Sequence, residues 1–97
     1  MAEQVLEAAE TGLGTIKSAG ASIASSALPS LPATAKHVVI NVVSGTLYIE
    51  NDGTAADANA LAVVTGASVT VKNSRTMLEA MRIFADAAYD ARFSYSY

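Results

Sequence analysis

The chain has no cysteine, no tryptophan, one histidine and two prolines in 97 residues. Without cysteine there is no disulfide to stiffen a small core and no thiolate to act as a nucleophile. One histidine and no cysteine exclude a structural zinc site of the usual Cys/His type. No apolar run approaches the roughly 20 residues of a membrane-spanning helix. The start, Met1-Ala2-Glu3-Gln4, is acidic and lacks the basic opening of a secretory signal. The expectation is a chain with no membrane role, made in a reducing compartment.

Positive charge is also scarce. Lys17, Lys36, Lys72, Arg75, Arg82 and Arg92 are scattered, and the formal net charge is −3. Nucleic-acid binding needs a clustered basic footprint that releases counterions, so no nucleic-acid partner is expected. Only Lys72 and Arg75 lie close together, and Lys72-Asn73-Ser74-Arg75 reads as a solvated turn. The hydrophobic fraction of 52% is inflated by alanine, and large core-forming side chains are concentrated in the second part of the chain.

That unevenness divides the sequence into an arm with a proline-containing linker, residues 1–36, and a module, residues 37–97. The arm is rich in Ala, Ser and Gly. Val5, Ala9, Ile16, Ile23 and Ala27 fall near one helical face, but the face is thin. Glu3, Glu7 and Glu10 suit a helix over residues 2–11, and Gly12 and Gly14 interrupt it. Residues 12–28 read as flexible in isolation. Leu28-Pro29-Ser30-Leu31-Pro32 holds the chain extended, because each proline restrains itself and its predecessor. Three readings of the arm stand: a disordered tail, a helix packed on its own module, and a segment that orders along a neighbouring subunit. In the last, Ile16, Ile23, Leu28 and Leu31 are the partner-binding anchors.

The module reads as β structure. His37–Val43 is rich in β-branched residues, with Val38, Ile40 and Val42 on one face. Ser44-Gly45 marks a turn, and Thr46–Glu50 is a second strand. Asn51-Asp52-Gly53 is a strong turn signal, followed by a small polar loop. Ala60–Val64 and Ser68–Lys72 follow, the latter with Val69 and Val71 inward. In the last strand Phe93, Tyr95 and Tyr97 alternate with Arg92, Ser94 and Ser96. Residues 76–88 carry two signals. Thr76-Met77-Leu78-Glu79 fits a capping box, with Met77, Met81, Phe84 and Ala88 at helical spacing. The other reading, favoured by the many short strands before it, is a strand over residues 80–84 forming a hairpin with the last strand. The expected fold is mainly β: a small antiparallel β-sandwich-like module with an extended or partly helical N-terminal arm. A compact part of about 60 residues buries only about 60% of its unfolded surface, so oligomerisation or docking is expected to support it.

Signals for chemistry are weak. His37 sits at a strand start with no nucleophile motif such as Gly-x-Ser-x-Gly. Glu50, Asp52 and Asp57 surround one loop, but their spacing fails the calcium-loop pattern. Gly12-x-Gly14 lacks the third glycine of a dinucleotide loop. Asp86 and Asp90 face each other only if that segment is helical. No catalytic residue, metal site or cofactor is expected. The Phe93, Tyr95 and Tyr97 row reads as core, as an intersubunit seam, or as an exposed platform for stacking on sugars.

Residues 37–97 resemble the modules of small tailed-bacteriophage virion proteins. The likeness rests on the Val38–Val43 strand, the Leu47-Tyr48-Ile49-Glu50-Asn51-Asp52-Gly53 segment, an Ala/Asn loop, the alternating Ser68–Val71 strand and the closing Arg92-Phe93-Ser94-Tyr95-Ser96-Tyr97. It implies a non-enzymatic head decoration (cement) protein, made in the host cytoplasm and carried on the virion. Its partners would be the major capsid protein or other virion subunits, with a homotrimer as the implied oligomer. The alternatives are a tail- or fibre-associated module binding host-surface glycans, and another minor virion or cellular assembly subunit that polymerises by itself.

Overall fold

The computed structural model describes residues 12–51, 53–72 and 74–97, so the helix expected over residues 2–11 lies outside the described residues. Eight strands and one short helix follow in order: β1 (Gly12–Gly20), β2 (Ile23–Ala27), β3 (His37–Ser44), β4 (Thr46–Glu50), β5 (Leu61–Val64), β6 (Ser68–Val71), α1 (Arg75–Ala80), β7 (Arg82–Ala85) and β8 (Tyr89–Ser96). The mainly β expectation holds. Period-two alternation places Val38, Ile40 and Val42 of β3 inward, with Leu47 and Ile49 of β4, Ile83 of β7 and Phe93 of β8. These side chains fill one core, and no polar or charged residue is fully buried among those described.

Two four-stranded antiparallel sheets face each other across that core. Their strand orders are β1-β8-β3-β6 and β2-β7-β4-β5. The pairings are nested: β1 with β8, β2 with β7, β3 with β6 and β4 with β5. The chain therefore behaves as one long hairpin, with its tip between β4 and β5, folded over so that β3 also meets β8 and β4 also meets β7. Eight strands wrapped this way in two sheets form a jelly roll.

Several expectations change here. Residues 12–28 are not loose: β1 and β2 are edge strands, one in each sheet. Their small residues suit an edge, where one face packs inward and the other meets water. The hairpin expected between residues 80–84 and the last strand is absent, because β7 and β8 belong to opposite sheets. Both signals in residues 76–88 are used in turn. The segment opens as α1 and continues as β7. The helix cap is Ser74, whose hydroxyl accepts from the Met77 amide at 3.2 Å, two residues before the expected Thr76. Arg75 is not part of a solvated turn. Its guanidinium donates to the carbonyls of Pro32 and Ala35 and pairs with Glu79.

Ser44-Gly45 is a crossing between sheets rather than a hairpin turn, since β3 and β4 also lie in opposite sheets. Gly45 has φ +81°, and a β-carbon there would stand 2.3 Å from the Ala88 carbonyl oxygen and 3.0 Å from the Tyr89 α-carbon. The crossing out of β3 thus presses directly on the chain entering β8. Gly66 has a similar φ of +84° with nothing within 4 Å of its added β-carbon. Both Gly→Ala changes carry backbone strain of about 1 kcal/mol, but only Gly45→Ala adds an overlap with main chain, for a total of about 3 kcal/mol. Urea denaturation of the two variants measures the difference.

Candidate interaction surface

The two outer faces of the sandwich differ in chemistry. Across β1-β8-β3-β6, one row reads Thr15, Ser94, Val39, Thr70 and the next reads Lys17, Arg92, Asn41, Ser68. The hydroxyls of Thr15 and Ser94 bond to each other at 2.9 Å, and Arg92 pairs with Asp90. This face is mostly polar, with Val39 and Val43 exposed among its hydroxyl and charged residues.

The outer face of β7-β4-β5 is drier. Tyr48 lies between Ala62 and Phe84 in register, and Val64 stands opposite Thr46 in the next row. The Tyr48 and Phe84 rings meet with centroids 6.0 Å apart and planes tilted by 43°. That cross-strand aromatic pair stabilises the sheet, and both rings remain partly exposed on its outer face. Ala62 and Val64 extend the patch to the sheet edge, where Val64 is 53% exposed. Glu50 and Arg82, opposite each other, border it at one end. Interface cores favour aromatic residues and exclude charge, and this patch has that composition.

The residues singled out in the sequence fall elsewhere. Leu28 is buried in the chain's own core, and Ile16, Ile23 and Leu31 are half-buried against it. As anchors on a neighbour they would have to be exposed, and the sandwich already occupies them. Phe93 and Tyr95 are also core, which removes both rings from any sugar-stacking platform, while Tyr97 is half-exposed at the chain's end. His37 is half-buried at the start of β3, opposite Ser96. Glu50 accepts from the Asn51 amide and Asp57 from the Asn59 amide, so each carboxylate serves its own turn. Asp52 lies outside the described residues. Asp86 sits in a bend and Asp90 in β8, not on one helix. Among the described residues no three His, Cys, Asp or Glu side chains group as metal ligands, and no helix is long and apolar enough to span a membrane.

Sequence reasoning missed Tyr48 and Phe84. The signal was present in the alternation Thr46, Tyr48, Glu50, which puts an aromatic on the face opposite Leu47 and Ile49. It gains meaning only when β7 is known to bring Phe84 alongside. Comparison with known protein families, curated proteins and solved structures finds no match.

Tyr95 shows how the linker is tied down. Its hydroxyl donates to the Pro29 carbonyl at 2.6 Å, and burial pushes its pKa from 10.0 up to about 12. The fold favours the protonated phenol, so this contribution is complete below pH 10 and is lost as pH rises from 10 towards about 12. Tyr95→Phe is expected to cost about 1 kcal/mol at neutral pH. It should also flatten the alkaline fall in stability, read from denaturation midpoints across that range.

Proposed function

We propose that the chain is a non-enzymatic structural subunit of a virion. It docks on the assembled capsid through the outer face of β7-β4-β5 and so acts as a decoration protein. The observation that carries this reading is the contrast between the two faces: hydroxyl and charged rows on one, the Tyr48–Phe84 patch on the other. A subunit that decorates a surface needs one face for the surface and one for water. The jelly-roll arrangement adds support by analogy, since capsid and lectin domains use it, although a fold alone does not carry a function. The resemblance of residues 37–97 to small phage virion proteins points the same way.

The mechanism is linkage. A ligand that binds the assembled shell and not its separated subunits stabilises the shell, by an amount that grows with the logarithm of its free concentration above Kd. Tyr48 and Phe84 would be the central contacts, with Ala62 and Val64 excluding water around them. The partner is the major capsid protein, and the location is the virion surface.

The chain mixed with empty coat-protein shells of the phage that encodes it should sediment with them and raise their dissociation temperature. Phe84→Lys should weaken attachment on the order of 30-fold or more while lowering the thermal melt of the free chain by only several degrees, from loss of about 1 kcal/mol of ring contact with Tyr48. A wild-type chain that stays in the supernatant contradicts the proposal.

A further inference from the structure

An open sandwich has four edge strands, and an unguarded edge pairs with whatever extended chain it meets. Three of the four here carry guards. β1 is broken by a bulge between Gly12 and Gly14, with Gly14 at φ +102°, and carries the exposed Lys17. β2 has a register break between Ile23 and Ser26, and Ser25 accepts a hydrogen bond from Ala56 of the loop joining β4 to β5. β6 runs directly into the exposed Lys72. β5, Leu61-Ala62-Val63-Val64, has no charge, no proline, no glycine and no break in its register with β4.

β5 also displays apolar side chains where an edge usually shows polar ones. Leu61 is 60% exposed although it shares the inward-facing side with the buried Val63. It stands at the rim of a cleft of about 140 Å³ between the two sheets, lined mainly by Ile49, Val69, Val71, Met77 and Met81. That volume is comparable to a cavity that takes a benzene ring, so it accommodates a leucine side chain. The edge therefore calls for an uncharged extended strand with an aliphatic residue on its inward side. β5 itself meets that description. Two β5 strands bring no like charges together, and antiparallel pairing of a strand with its own copy is compatible with a two-fold axis.

We propose that β5 is a self-pairing edge. Two copies of the chain join β5 to β5 and fuse β2-β7-β4-β5 with its copy into one eight-stranded sheet. The outer rows of Ala62 and Val64 then continue across the seam, doubling the apolar face. The assembly is a dimer, not the trimer implied by the phage resemblance. The inference is independent of capsid docking, because it concerns the edge and not the face.

Sedimentation equilibrium of the full chain over a concentration series tests it. The expected result is a monomer–dimer equilibrium. Leu61→Lys and Val64→Lys should each weaken it about tenfold or more with little change in thermal melting. Ala19→Lys, which places the same charge on the β1 edge, should leave it unchanged, as should Phe84→Lys on the outer face. A wild-type chain that remains monomeric at the highest concentration overturns the proposal, and so does a trimer. Dimers that survive both β5 variants overturn it as well. So do dimers that vanish only when residues 1–11 are deleted, which would assign the contact to that segment.

Discussion

Strand β8 is the constraint around which the sandwich is arranged. Its inward side carries Tyr89, Ala91, Phe93 and Tyr95, all buried, and its outward side carries polar residues throughout. A strand with so much apolar surface on one side needs a facing sheet, and its backbone needs partners along both edges. β3 supplies one edge and β1 the other. The partner on the β1 side comes from the opposite end of the chain: Thr15 and Ser94 are 79 residues apart. Tyr89 and Tyr95 reinforce that closure through their hydroxyls, one bonded to Ser18 and the other to Pro29. The first strands are thus part of the core's enclosure, and closing such a long loop makes folding slow for a chain of this size.

The inward rows of β3, β4, β6 and β8 were legible in the sequence because Val, Ile, Leu, Phe and Tyr recur at period two. β1 and β2 were not legible. Their Gly, Ala and Ser residues have little intrinsic preference for strand, and their extended state depends on pairing with β8 and β7 far along the chain. Bulges at Gly12/Gly14 and Ile23/Ser26 further blur any alternation. The assignment of strands to sheets was equally hidden. Neighbours in sequence usually pair, but at Gly45 and again at residues 86–88 this chain crosses from one sheet to the other. Phe93 and Tyr95 were visible as an aromatic row, and the alternation alone did not say whether that row faced the core or a partner. Tyr48 and Phe84 come from strands far apart in sequence, so their meeting on an outer face required the register.

The surfaces follow from the same topology. Nesting the hairpin leaves β1 and β2 together on one side of the sandwich and β5 and β6 on the other. The first side is bulged, charged or bonded to a loop, and the second opens on an apolar cleft. One outer face is rich in hydroxyls and the other holds a partly exposed aromatic pair. The topology also accounts for how so small a chain without disulfides maintains a core: the N-terminal strands enlarge it to eight strands.

The measurement that tests this account most directly compares urea denaturation of the full chain with that of a chain lacking residues 1–27. If β1 and β2 complete the sandwich, the shortened chain shows no cooperative transition and a far-ultraviolet spectrum of unfolded chain. A shortened chain that unfolds with the same midpoint and the same denaturant dependence would contradict it, returning β1 and β2 to the status of an appended arm.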